Sequence, residues 1–440
     1  MMQSLHQPRL ITLAVALLLA ASSFAQDASL KRADGYFDSQ DYHTAAKMFE
    51  QVIDKNPQSG IATFKAGVCY LYTSQQERGL SYIKKAATLP LERDLYYDFW
   101  LGRAYHLNMK LDSAIMGYRA YLKKAPANDE FKKGTENLIA QIHRTETYFI
   151  STENSPFEAS NLGENINSPY TERSPMVTRD GRLMVFTTRR PIYPDEPTGP
   201  DGEYADKIFM ATLSADGSWG KAVPVLQPED RQSWYRPIQF MDNETKLLLH
   251  RPGKEGGLYL SERSGDGWKI PYKLNEKVKA SHLDLDVTFT QDMKRMVYAK
   301  ASMNDDYTDL FIVDKDSRGL WGSPRKLNVA CSPDDELAPV FLEGGNTIVF
   351  SSKGHNGLGG FDLFKTSYDL STKKWSAPAN LGYPINGPGN DISYTEIDGA
   401  PKVSYIASAR AKGFGEADIY KITYTLPTSQ DPNPPTLQKQ

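Results

Sequence analysis

The chain has 440 residues, with 51 basic against 54 acidic side chains, a net charge of −3 and 40% hydrophobic residues. That length has room for two or more domains, each with its own core. There is no basic surplus to neutralise phosphates, so nucleic acid and acidic membrane surfaces are not expected as partners.

The first 25 residues stand apart from the rest. After Arg9, Leu10 to Ala21 is almost wholly apolar, and Ser23 and Ala25 stand where a signal peptidase reads. This is the pattern of a secretory signal peptide, cleaved after Ala25 to leave Gln26 first. The apolar run has 12 residues, whereas a bilayer span takes ~20. No later run reaches that length, so no membrane span is expected. No cysteine sits at the cleavage point, so there is no lipid-anchor signal. Two cysteines occur, Cys69 and Cys331. They read as one bridge between domains or as two buried free thiols. The second reading is preferred, because Cys69 falls in an amphipathic helical pattern far from Cys331 in the chain.

From Ala28 to about Tyr148, apolar residues recur at three and four, and proline and glycine are sparse, which predicts helices. The helices repeat. Ala33, Gly67 and Gly102 are spaced by 34 and 35, and Tyr36, Tyr70 and Tyr105 follow them. Ala45, Gly79 and Ala114 form a third set, and Phe49, Ile83 and Tyr118 a fourth, with Pro57, Pro90 and Pro126 closing the units. Small residues recur where two helices come close, and large ones where the next pair must be filled. The pattern, best in "WLGRAY" (100–105), resembles the tetratricopeptide repeat, with three units over roughly 28–127. A helix over 128–148 would cap the stack, giving a helical domain over 26–148. The resemblance implies a peptide or protein partner on the face of the first helices. That face carries Phe64, Val68 and Tyr72 in the second unit and Phe99, Arg103 and His106 in the third. The alternative is that these residues only pack or face water.

After about Tyr148 the period changes to short alternating runs cut by Gly, Asp, Asn and Pro, which predicts strands. Five third strands align: "DKIFMATL" (206–213), "GLYLSER" (257–263), "DLFIVDK" (309–315), "DLFKTSY" (362–368) and "DIYKITY" (418–424), at spacings of 51, 52, 53 and 56. Second strands precede them, and Trp219, Trp268, Trp321 and Trp375 open fourth strands closed by Leu226, Leu274, Leu327 and Leu381. "SSKGHNGLGGFDLF" (351–364) matches "ASARAKGFGEADIY" (407–420) without a gap. Its glycines therefore read as a turn between blade strands rather than as a phosphate loop, which would open a helix. Five units of about 50 residues predict a β-propeller over 149–425, with six blades as the alternative. The last unit lacks a fourth strand, and "FEASNLGENINSP" (157–169) resembles "WSAPANLGYPINGP" (375–388). The amino-terminal end of this region is expected to supply that strand and close the ring. The fold class is thus a helical repeat array followed by an all-β propeller, with a disordered Pro-rich tail over 426–440.

"FSSKGHNGLGGFDLF", "WSAPANLGYPING" and "ADIY" resemble the WD40-like propeller repeats of bacterial envelope proteins. Tetratricopeptide repeats ahead of such a propeller resemble a group of Bacteroidetes envelope proteins that usually continue into an OmpA-like peptidoglycan-binding domain, one of them in the type IX secretion machinery. The resemblance implies a periplasmic protein, peripheral to the outer membrane, whose partners are outer-membrane or secretion-machinery proteins. No OmpA-like domain is read after the propeller, so direct peptidoglycan binding is not expected.

Seven histidines are scattered without metal-ligand spacing, and no G-x-S-x-G elbow occurs. No catalytic residue, metal or cofactor is expected. Acids and arginines recur ahead of the first strands: Glu172 and Arg173, Arg236, Asp284 and Asp286, Asp335 and Glu336, and Asp391. Arg173, Arg236, Asp286, Asp335 and Asp391 are the candidate channel-mouth residues. Asp286 and Asp335 would be the pair if the propeller were a glycosidase. Because the acids repeat from blade to blade, the preferred reading is that they hold the ring together. The clustered acids of "HLDLDVTF" and "NDDYTDLF" (304–311) match no calcium loop and read as solvated. The function expected is a non-enzymatic scaffold. The alternatives are a carbohydrate-active propeller and a glycan or peptide sensor.

Overall fold

The computed structural model describes residues 28–73, 75–91, 96–151, 157–199, 202–225, 235–251, 256–274, 278, 286–301, 307–342, 344–397 and 403–424. The signal-peptide stretch, the Pro-rich tail, Leu226, His282 and Asp284 lie outside these residues. The chain divides into two units, Met1–Ala125 with Thr198–Glu203, and Pro126–Pro197 with Tyr204–Gln440.

Among its described residues the first unit holds six helices: α1 over 28–38, α2 (Tyr42–Lys55), α3 (Gly60–Leu71), α4 (Gln76–Ala86), α5 (Tyr97–Leu107) and α6 (Leu111–Lys124). They form three helical hairpins, one per sequence repeat. Asp41 caps α2 by accepting from the Thr44 N–H at 2.9 Å, and Ser59 caps α3 by accepting from Ala62. The recurring small residues are where backbones meet. A Cβ on Gly67 would lie 3.0 Å from the Gly79 carbonyl, and one on Gly117 would lie 2.7 Å from Gly102 Cα. Ala33, Ala45 and Ala114 are fully buried at small-residue positions of the repeat, and Phe49, Ile83 and Tyr118 fill the space between helices. Residues 198–199 and 202–203 group with this unit, where Glu203 meets His43 at 3.3 Å.

The second unit opens with α7 (Glu130–Ser151), and five antiparallel sheets follow. Strand β1 (Phe157–Asn161) comes first. Blade one is β2 (Glu172–Val177), β3 (Leu183–Thr188), β4 (Lys207–Thr212) and β5 (Val223–Pro224). Blade two is β6 (Arg236–Met241), β7 (Lys246–Arg251), β8 (Gly257–Ser264), β9 (Gly267–Trp268) and β10 (Tyr272–Lys273). Blade three is β11 (Val287–Phe289), β12 (Arg295–Ala301), β13 (Thr308–Asp314) and β14 (Arg325–Lys326). Blade four is β15 (Glu336–Phe341), β16 (Thr347–Ser352), β17 (Asp362–Asp369), β18 (Lys374–Trp375) and β19 (Ala379–Asn380). Blade five is β20 (Asp391–Ile397), β21 (Val403–Ser408) and β22 (Asp418–Tyr424), completed by β1, which pairs with β22 from Phe157↔Tyr424 to Asn161↔Tyr420. The last blade thus takes its outer strand from the other end of the domain, which leaves no open edge at the seam.

Each seam between blades has its own apolar cluster. Phe186 and Tyr405 share the cluster between blades one and five, Val185 and Leu249 that between one and two, and Leu248 and Met296 that between two and three. Ile312 and Phe350 share the next seam, and Val349 and Ile406 the last. The second strands are covered on both sides, which is why "LMVFTT" is buried throughout and reads as a continuous apolar run.

Two sequence expectations differ from the structure. The helix read as a cap for the repeats groups with the propeller. Gln141 Nε2 on α7 donates to the Gly359 carbonyl at 2.6 Å, Arg144 Nε donates to the Gly357 carbonyl at 2.8 Å, and the Tyr148 ring lies against Gly382. The alignment of "DKIFMATL" is also off by one. Pairing sets Lys207↔Thr188 against Asp309↔Lys300, Asp362↔Ser352 and Asp418↔Ser408. Lys207, held by Glu196 at 2.5 Å, therefore takes the place of the recurring aspartate in blade one.

Candidate functional site

The inner strands of all five blades surround a cavity of about 920 Å³. Five equivalent positions line it: Ser174, Pro237, Asp286, Ala338 and Ser393. Three of them have left-handed backbone, with φ of 51° at Ser174, 48° at Ala338 and 63° at Ser393. Each sits in a bulge of its inner strand. The bulges turn amides toward the neighbouring blade. The Ser174 N–H donates to Ser393 Oγ at 3.2 Å, and the Ala338 N–H donates to Asp286 Oδ2 at 3.1 Å. Asp286 breaks the residue pattern of this ring but does the same work as Ser393.

Beside it is a cluster that sequence reasoning saw only in part. Asp206, almost fully buried, meets Arg173 Nη2 at 2.5 Å, Arg236 Nε at 3.2 Å and Arg189 Nε at 3.3 Å. Burial alone would raise the Asp206 carboxyl, but Arg173, Arg236 and Arg189 outweigh it and hold it below its usual range. Arg173 and Arg236 are thus brought together, by an aspartate read only as the start of a strand. Asp206 and Arg189 carried no sequence signal, because neither recurs in the other blades.

Asp335 is not brought to Asp286. It does not line the cavity, and instead accepts from the Thr308 N–H at 3.0 Å and from Lys353 Nζ at 2.7 Å. The expectation that the two could face each other as a pair is corrected. Asp335 is one residue ahead of the strand, where the chain still turns toward blade three.

Asp391 is also off the cavity, and it belongs to a recurring latch. Glu172, Glu336 and Asp391 each open an inner strand and are essentially unexposed. Each accepts from the backbone N–H four residues earlier: Ser168 at 2.8 Å, Ser332 at 3.0 Å and Gly387 at 2.7 Å. Each also accepts from the hydroxyl that ends the second strand, from Thr188 at 2.6 Å, Ser352 at 2.8 Å, and Ser408. In two blades an arginine two residues further on completes the set, Arg190 on Glu172 at 3.1 Å and Arg410 on Asp391 at 3.3 Å. Burial pushes Glu172 and Glu336 up to about 7 and raises Asp391. The "T-x-R" and "S-x-R" at 188–190 and 408–410 were the available signal for the arginines.

The glycine loop is bound by its own domain. Asp362 Oδ2 accepts from the Leu358 and Gly359 N–H groups, both at 2.9 Å, and Asp418 does the same for Phe414 and Gly415. These amides, which a phosphate would need, already have a carboxylate. Asp309, expected to be solvated, is 3% exposed.

In the first unit, most of the predicted binding face is core. Phe64, Val68 and Phe99 are buried against neighbouring helices, because the repeat stack covers both sides of α3 and α5. His106 is fully buried, with Nδ1 3.3 Å from the Tyr118 hydroxyl, and burial together with Arg103 holds it well below the usual histidine range. Arg103 also reaches Tyr118. Tyr72 is 47% exposed. It stacks on Tyr42 with ring centroids 4.0 Å apart and meets Trp100 edge-on at 5.9 Å. This aromatic run crosses all three repeats. Tyr42 and Trp100 were not read as part of a site. Both cysteines are free, Cys69 buried and Cys331 partly exposed.

The fold is a tetratricopeptide-type helical array joined to a five-bladed β-propeller. Residues 27–59 match the family model described as tetratricopeptide repeat. No curated protein sequence matches the chain. Among solved structures, it is similar to an endo-arabinase from Bacteroides thetaiotaomicron, at 12% identity and TM-score 0.38 over 60% of this chain and 99% of that one. It is similar to a protein of unknown function from Dyadobacter fermentans, at 10% identity and TM-score 0.37 over 60% and 98%. It is also similar to the catalytic domain of a GH62 α-L-arabinofuranosidase from Coprinopsis cinerea, at 10% identity and TM-score 0.40 over 61% and 96%. Likenesses this distant transfer no activity and no site residue.

Proposed function

We propose that the chain is a non-enzymatic scaffold of the bacterial cell envelope, exported to the periplasm and binding outer-membrane or type IX secretion-machinery proteins. The observation that carries this reading is how the carboxylates at and ahead of the inner strands are used. Glu172, Glu336 and Asp391 are held by donors of their own frame, and Asp206 is held by arginines. Asp286 and Asp335 bond different partners. Acid–base hydrolysis needs two carboxylates converging on a substrate. These converge on the protein. Tyr42, Tyr72 and Trp100 supply a docking face, and the resemblance to envelope proteins supports the compartment.

The test is crosslinking of the mature protein in intact cells, with sequencing of its amino terminus. The expected result is processing between Ala25 and Gln26 and recovery of envelope proteins, lost in Tyr72→Ala and Arg103→Ala. A clean monomer without partners would sink the reading.

A second reading, a ligand in the channel, is favoured by the cavity of about 920 Å³, of a size that holds small molecules, and by Arg236 on its wall. A glycan array followed by product analysis tests it. Sugar release that stops in Asp286→Asn would establish a glycosidase instead of a scaffold.

A further inference from the structure

Blade three departs from the latch chemistry of blades four and five. In blades four and five an asparagine holds the third strand by both its backbone groups. Asn386 donates to Leu363 O at 2.9 Å and accepts from the Leu363 N–H at 2.8 Å, and Asn167 does the same at Ile419. A second asparagine supports each, Asn380 and Asn161. At the matching positions stand Cys331, in the turn that leads into β15, and Lys326, at the end of β14. Cys331 offers a 3.7 Å Sγ contact to Leu310 O and lies beside the Asp309 carboxylate. A fork of buried hydrogen bonds has been exchanged for a thiol, a local loss that asks for a compensating gain.

We propose that Asp309, Cys331 and Glu336 form a binding site for a divalent cation of zinc-like preference at the seam of blades three and four. Their donor atoms lie within 4.8 Å of one another. Zinc bonds of about 2.0 Å to oxygen and 2.3 Å to sulfur put tetrahedral ligands about 3.3–3.5 Å apart, so small side-chain movements close the site. Asp309 is 3% exposed, and its Oδ1 has no hydrogen-bond partner. This buried, unmatched acceptor belongs to the cluster, and a cation satisfies it. Glu336 accepts three hydrogen bonds, from Ser332 N, Ser332 Oγ and Ser352 Oγ. A carboxylate has about four lone-pair sites, so one remains for the metal. Cys331 is the partly exposed member, which leaves a fourth position toward water.

Charge closes as well. A divalent ion, one thiolate and two carboxylates sum to −1. Lys326 Nζ, 2.7 Å from Asp309 Oδ2, supplies the balancing cation. The thiol proton goes to solvent as the metal binds. A thiolate donor favours zinc or cobalt over magnesium or calcium.

The test is titration of the full-length mature protein with Co²⁺, following the thiolate-to-cobalt charge-transfer absorption in the near ultraviolet. The expected result is a band that saturates at one ion per chain, is displaced by Zn²⁺, persists in Cys69→Ser, and is lost in Asp309→Asn and Cys331→Asn. The Cys331→Asn variant restores the residue that the repeat uses elsewhere, so its fold is preserved. Its far-ultraviolet circular dichroism should match the parent. Zn²⁺ should also raise the melting temperature of the parent and not of Cys331→Asn. No cobalt–thiolate band, or a band that survives in Cys331→Asn, overturns the site.

Discussion

Asn386 holds Leu363 by both its backbone groups, donating to the carbonyl at 2.9 Å and accepting from the N–H at 2.8 Å. Both residues are unexposed. The side chain thus replaces a strand at the point where the outer part of blade four turns back toward blade five. This is what "NLGYPING" encodes: Asn380 orients Asn386, and Asn386 pins the third strand.

Replacing Asn386 by alanine strands the buried Leu363 N–H, while the Leu363 carbonyl keeps the Leu381 N–H at 3.0 Å, at a cost of roughly 2 kcal/mol. Amide hydrogen exchange at Leu363 should accelerate by a factor of about 30 or more, and the propeller's urea midpoint should fall. Unchanged exchange at Leu363 would show that the fork contributes nothing.

Glu172 predicts a pH dependence of definite sign. Burial raises its carboxyl from 4.5 to about 7 in the folded protein. The folded state therefore holds a proton that the unfolded state has lost between these values. The contribution is fully present below 4.5 and is lost as pH rises through about 7, by an amount on the order of 3 kcal/mol. Glu172→Gln keeps the neutral form at all pH. Melting temperatures from pH 4 to 8 should show the parent losing stability relative to this variant as pH rises. A difference that is flat, or runs the other way, would mean that Arg190 dominates.

Two glycines on helices make opposite predictions. Gly117→Ala places a methyl 2.7 Å from Gly102 Cα. The α5–α6 pair must part, at a cost of ~1–3 kcal/mol despite the better helix former. Gly134 on α7 has nothing within 4 Å of a built Cβ, so Gly134→Ala should stabilise by up to ~1 kcal/mol. Thermal melts followed by circular dichroism compare them, and the same sign for both would refute the close-approach argument.

The anchoring of α7 predicts a local effect. The double variant Gln141→Ala, Arg144→Ala removes the bonds to the Gly359 and Gly357 carbonyls. Exchange and proteolysis should increase along 130–151, while the inner strands of blades one to three keep their protection. Equal loosening of the whole propeller would mean that the helix is part of the ring's global stability.

Repetition made the architecture legible. Spacings of 34 to 35 and of 51 to 56 residues announce units that each need a neighbour to bury a face, so helical hairpins, blades, their number and the borrowed strand β1 follow from the pattern alone. Local chemistry was legible too: the glycine loop as a turn, the small residues at helix crossings. What recurs does not say what is covered. Phe64, Val68, Phe99 and His106 match positions that face a groove in other arrays, yet here stacking buries them and leaves Tyr72 outside. Asp286 and Asp335 are adjacent in a list of acids, but one stands on the channel wall just ahead of β11 and a turn takes the other away from it. Asp309, Cys331 and Glu336 are brought together only by the seam between two blades. Periodicity is a property of the chain. Which side chains meet, and which lose their water, is decided by contacts between residues far apart in it.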